Sequence, residues 1–177
     1  MKSTSIMKLA LAATVSSCFS LAMAAPAKKK QTAAVHVRSQ FDQGIAAYER
    51  GDWQSAYRLF RPLADQGDAY AQFNLGVMYD NGQGVAQDYF AAVSWYRKAA
   101  EQGIAGAQFN LGLMYFNGQG VLRDYVQAYK WFNLSAAGAK GAEKSDNATK
   151  VRDLVSEWMT PAQIAEAQRL ASEWKKK

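Results

Sequence analysis

Cysteine, histidine and proline are almost missing from this sequence: 177 residues hold one Cys, one His and three Pro. The cysteine, Cys18, lies in a segment expected to be removed. Lys2 and Lys8 make a positive start, and an apolar run extends from Leu9 to Met23, broken by Ser16, Ser17 and Ser20. It ends in Ala22-Met23-Ala24, an A-x-A cleavage pattern, with Pro26 just beyond. This is the pattern of a secretory signal peptide, residues 1–24, cut after Ala24. The mature chain then has no disulfide, no thiolate nucleophile and no thiolate metal site, and its core alone must hold it. Lipid anchoring at Cys18 is an alternative, because Val15-Ser16-Ser17-Cys18 loosely resembles a lipobox. No later stretch is apolar over a membrane-spanning length, so the exported chain is expected to be soluble, in the periplasm or outside the cell.

The lone histidine, His36, falls in a stretch rich in Ala, Lys and Gln, residues 25–38, that reads as a flexible linker. A mobile, isolated imidazole is a poor base or ligand. No G-x-S-x-G, S-x-x-K, H-E-x-x-H or P-loop pattern occurs. The sequence therefore points to no catalytic residue, no cofactor and no metal.

Positive charge is also scarce where it would matter. Lys and Arg number 21 against 15 Asp and Glu. Lys2 and Lys8 leave with the signal. Lys28, Lys29, Lys30, Arg38 and the tail Lys175, Lys176 and Lys177 lie outside the folded part. That leaves 12 basic against 15 acidic residues from Ser39 to Trp174, a mildly acidic body. Nucleic acid is not an expected partner, since a groove for it needs clustered cations. Membrane contact is at most peripheral, through the lysine tails.

What is present is a repeat. Residues 67–102 and 103–138 align without a gap at an offset of 36: Gly67 with Gly103, Asn74 with Asn110, Tyr79 with Tyr115, Gly84 with Gly120, Asp88 with Asp124, Trp95 with Trp131. A fixed period of this length means stacked supersecondary units. Within a unit, Ala71, Leu75 and Tyr79 recur at spacing four and mark the buried face of a first helix. Gly76 weakens that helix, and its expected purpose is close approach of a neighbour. Asn81-Gly82-Gln83-Gly84 ends it, Asp88 caps the second helix, and Gly103 closes the unit. Gly112, Gly118, Gly120, Asp124 and Gly138 are expected to repeat these roles. A turn-plus-break explains the NGQG glycines better than phosphate cradling, because no lysine stands at the needed position.

A shorter copy precedes, over about 39–66. Phe41-Asp42-Gln43-Gly44 matches Phe73-Asn74-Leu75-Gly76, and Gly51-Asp52 replaces the long loop. After Gly138 two capping helices are expected over about 143–174. Thr160-Pro161-Ala162-Gln163 is a strong start for the second. The repeat domain thus spans 39–174, with a basic tail at 175–177. Its fold class is all-α, an α/α solenoid.

The carrying pattern is Ala71, Leu75, Gly76, Tyr79, Gly82, Gly84, Val85, Asp88, Ala92, Trp95, Tyr96, Lys98, Ala99 and Ala100. It resembles the Sel1-like repeat family, relatives of tetratricopeptide repeats. The resemblance implies an adaptor that binds another protein. By analogy with tetratricopeptide geometry, the first helices line a concave groove presenting Tyr70, Phe73, Asn74, Val77, Phe109, Asn110, Leu113 and Phe116. Aromatic and aliphatic groups flanked by amides suit a peptide or a partner helix. Two alternatives stay open. A cysteine-rich branch of the family is linked to penicillin binding and β-lactam hydrolysis, although its paired cysteines are missing from these repeats. An apolar groove can also be satisfied by another copy, giving self-association.

Overall fold

The computed structural model describes residues 37–139 and 142–176. The signal segment, most of the linker and His36 lie outside the described residues. The chain divides into two units, Met1–Gln40 and Phe41–Lys177. Among the described residues every regular element is a helix: α1 (37–49), α2 (Trp53–Asp65), α3 (Ala69–Asn81), α4 (Tyr89–Glu101), α5 (Ala105–Asn117), α6 (Tyr125–Gly138), α7 (Ala142–Ser156) and α8 (Pro161–Ser172). Residues 37 and 38, the end of the expected linker, are already helical.

Local chemistry sets the boundaries. Asp52, Asp68, Asp88 and Asp124 each accept a hydrogen bond from a first-turn amide, at 3.1, 2.8, 2.9 and 3.0 Å. Thr160 and Gln163 form the expected reciprocal capping box, with Pro161 in first place. The glycines Gly82 and Gly118 take left-handed conformations that close α3 and α5. One expectation fails here. Gly138 does not close its unit as Gly103 does: α6 runs through it, and Ala139 in extended conformation is the cap. Gly103, with φ of 82°, turns the chain directly into α5, whereas Gly138 leads into the terminal pair.

Each helix from α2 to α6 packs on its successor, and α6 carries both α7 and α8. The decisive contact recurs in every unit. A ring from the second helix lies on a bare glycine of the first. A Cβ built on Gly44 would stand 2.5 Å from the Phe60 ring, on Gly76 2.5 Å from Tyr96, and on Gly112 2.8 Å from Phe132. All three rings are buried. Trp95 and Trp131 are also core, as their spacing predicts. The NGQG loops serve the stacking. Gly84 lies against the Trp53 backbone at the start of α2, where a Cβ would stand 2.6 Å away, and Gly120 lies against Tyr89 at the start of α4. These glycines let one unit's loop touch the helix start of the unit before it.

Gly76→Ala is expected to lower the unfolding free energy by about 1–3 kcal/mol, the usual cost of overpacking. The loss should outweigh alanine's gain in helix propensity of about 1 kcal/mol. Urea denaturation checks this: the midpoint should fall, and an unchanged midpoint would mean that the Tyr96 ring steps aside freely.

Candidate functional site

The stacking of α3 against α4 and α5 leaves a cleft of about 780 Å³. Tyr70 and Phe73 come from α3, Gly106, Phe109 and Asn110 from α5. The α4–α5 turn, the end of α6, Asn147 and Lys176 complete it. Four of the eight groove residues predicted from sequence meet here: Tyr70, Phe73, Phe109 and Asn110. Tyr70 is 60% exposed on the rim. The phenylalanines are half-buried, divided between core and cleft. Phe73 packs on Tyr96 with ring centres 6.1 Å apart, and Phe109 on Phe132 at 5.4 Å. Lys176 is the one charged side chain lining the cleft among the described residues.

The other four lie elsewhere. Asn74, half-buried, donates to the Tyr70 carbonyl one turn back, at 2.9 Å. Val77 packs on the core formed by α4, α5 and α6. Leu113 and Phe116 pack on the core that includes Val155 and Met159. Trp158 stacks on Phe116, centres 5.0 Å apart and planes 13° apart. Beyond the third unit stand the terminal helices rather than another repeat, so those helices cover the late positions of α5.

Behind the cleft runs a polar chain. The Asn110 amide donates to the Tyr96 hydroxyl, which donates to Asp80 Oδ2 at 3.1 Å. Burial pushes the Tyr96 hydroxyl well above the usual phenol range, and the Asp80 charge adds to this. Burial also raises the Asp80 carboxyl, against the lowering effect of the Tyr96 hydrogen bond. Asn110 thus already has an internal partner, and its remaining amide hydrogen and carbonyl oxygen are what it can offer a ligand.

Glutamines tie the units together. Gln72 donates to the Ala64 carbonyl at 3.1 Å and Gln108 to the Ala100 carbonyl at 3.2 Å, each bridging to the preceding unit. Gln102 donates to Gln72 Oε1 at 2.8 Å. Gln108 Oε1 has no such donor. It and Trp131 Nε1 are buried without a hydrogen-bond partner among the described residues. The sequence holds the reason: the 36-residue offset sets Gln102 against Gly138, and likewise Tyr70 against Gly106. These two departures were there to find in the repeat alignment, but only the structure places both on one cleft.

A second hollow, about 590 Å³, lies at the loop edge under Phe90 and is built largely of loop and cap residues of the second unit. No cluster of metal-ligating side chains occurs among the described residues.

Comparison with known proteins divides the chain into the same units. The Sel1 repeat matches residues 43–68, 69–104 and 105–139, more than half of the chain. Among solved structures, a protective antigen present in uropathogenic Escherichia coli strains, displaying an SLR fold, is 34% identical with a TM-score of 0.71, over 78% of this chain and 29% of that one. A Sel1 repeat protein from Oxalobacter formigenes is 31% identical with a TM-score of 0.60, over 76% of this chain and 56% of that one. This chain therefore spans well under two thirds of either protein. No curated protein matches it.

Asp80 gives a test of the polar chain. Its carboxyl is raised in the folded state, so folding favours the protonated form. That contribution is fully present below the ordinary carboxylate value and is lost as pH rises through the raised one. Asp80→Asn keeps an acceptor for Tyr96 without the charge. Its thermal midpoint should exceed that of the parent at neutral pH and converge with it in mild acid. A variant less stable at neutral pH would contradict this.

Proposed function

The chain belongs to the Sel1-repeat family, and from that premise we propose that it is an adaptor of the bacterial cell envelope, holding a segment of another protein in the α3–α5 cleft without chemical turnover. Sel1-repeat proteins are generally protein-interaction scaffolds, and their fold is typically non-catalytic. The observation that carries the proposal is the cleft itself. It offers aromatic surface from Tyr70, Phe73 and Phe109 beside amides and one cation, with no acid, histidine or thiol among the lining side chains. Rigid aromatic surface flanked by hydrogen-bonding groups is what a bound peptide or helix needs. The signal pattern at residues 1–24 favours export, and no described helix is long and apolar enough to cross a membrane. The periplasm or the exterior is thus the proposed place of action, with partner identity set by the cleft.

Tyr70→Ala is the variant of choice, because Tyr70 is 60% exposed and the loss of its edge contact with Phe41 should lower stability by only about 0.5–1.5 kcal/mol. Crosslinking in cells, with quantitation of captured envelope proteins, should show a specific partner whose yield falls about ten-fold or more in Tyr70→Ala, as removing a binding anchor predicts. Equal yields from both would remove the cleft from recognition. A fluorescent penicillin should leave the purified chain unlabelled, and covalent labelling would contradict the non-enzymatic assignment.

A further inference from the structure

The second unit supplies a template for what the cleft lacks. In that unit the Tyr70 ring stands edge-on to Phe41 of the unit before it, with centres 6.3 Å apart. Phe73 occupies the position corresponding to Phe41, and the residue corresponding to Tyr70 is Gly106. Phe73 therefore meets bare backbone: a Cβ at Gly106 would stand 3.2 Å from its ring. Phe41 packs on Phe60 of its own unit and on Tyr70 of the next, whereas Phe73 packs on Tyr96 of its own unit and then meets the cleft.

The same comparison holds for the glutamines. Gln72 Oε1 accepts a hydrogen bond from the Gln102 carboxamide, whereas Gln108 Oε1, in a side chain only 2% exposed, accepts none. The position corresponding to Gln102 is Gly138, and a side chain begun there would start 3.7 Å from Gln108 Oε1. A buried acceptor without a donor costs free energy that a suitable donor returns. Both bare positions, Gly106 and Gly138, lie on the wall of the one cleft.

We propose that the cleft takes a partner segment carrying an aromatic residue and a carboxamide residue, which stand where the preceding unit has Tyr70 and Gln102. The aromatic side chain packs edge-on to Phe73 over Gly106, and the carboxamide donates to Gln108 Oε1 beside Gly138. This rests on the protein-binding proposal above and adds the chemistry that selects the segment. The two bare glycines make the third unit a receptor for groups that the second unit supplies for itself.

The test is an NMR titration of the isotope-labelled chain with short acetylated peptides that hold one phenylalanine and one glutamine, adjacent or separated by one glycine. At least one should give saturable shifts at the Gly106 and Gly138 amides. Replacing its phenylalanine by alanine, or its glutamine by glutamate, should weaken binding about five-fold or more, the worth of one such contact. Gly106→Tyr and Gly138→Gln restore the side chains of the preceding unit, and each should abolish the titration while circular dichroism keeps its helical signal. If Gly106→Tyr fails to fold, Gly138→Gln decides alone. Equal binding of the alanine and glutamate peptides, shifts confined to other surfaces, or binding retained in Gly138→Gln would overturn the proposal. So would self-association that Gly138→Gln abolishes, because the occupant would then be a second copy. If no peptide binds while Tyr70→Ala still loses its cellular partner, this inference fails and the adaptor proposal stands. If Tyr70→Ala also keeps its partner, both fail.

Discussion

The structure depends on a ring resting on a missing side chain. Phe60, Tyr96 and Phe132 each lie on a glycine of the helix before them, closer than any Cβ would allow. This contact sets how near the two helices of a unit approach, and it recurs where the sequence repeats. A mid-helix glycine costs about 1 kcal/mol of propensity against alanine. The burial of a whole aromatic side chain outweighs that cost, since such groups contribute about 1.5–3 kcal/mol when removed from water. The chain has no cysteine among residues 25–177, so no disulfide assists. The glycines of the NGQG loops extend the same logic between units.

Once the units are fixed this way, small departures between them open a cleft. Tyr70 packs on the unit before it and Gln102 satisfies Gln72 within the second unit, while Gly106 and Gly138 leave the third open. The cleft is therefore a local lapse in an otherwise regular stack. The polar chain from Asn110 through Tyr96 to Asp80 ties the α5 face of the cleft to the end of α3. Packing and cleft share residues: Phe73 and Phe109 each give part of the ring to the core and part to the cleft.

Much of this was legible in the residues. Asp88, Asp124 and the Thr160–Gln163 box act over a single turn, and such local signals need no tertiary context. Gly76 announced a close approach by standing inside a helix. Of the eight groove residues expected from tetratricopeptide geometry, Tyr70, Phe73, Phe109 and Asn110 come together on one cleft, because the repeat register sets them on neighbouring helices. The cover over Leu113 and Phe116 was not legible, since it comes from the terminal helix pair and the turn between them, which obey no repeat pattern. Gly138 misled because the same residue type ends the second unit and continues the last helix of the third; the difference lies in the next element, a repeat helix after Gly103 and the terminal pair after Gly138. The orphaned Gln108 oxygen needed the structure, since burial is a property of the assembled units.

Recognition through the face shared by α3 and α5 is tested most directly by hydrogen-exchange mass spectrometry of the chain, free and crosslinked to its captured partner. Protection is expected over residues 69–81 and 103–110. Protection confined to the loop edge at residues 85–90 and 118–124, with α3 and α5 unchanged, would contradict it.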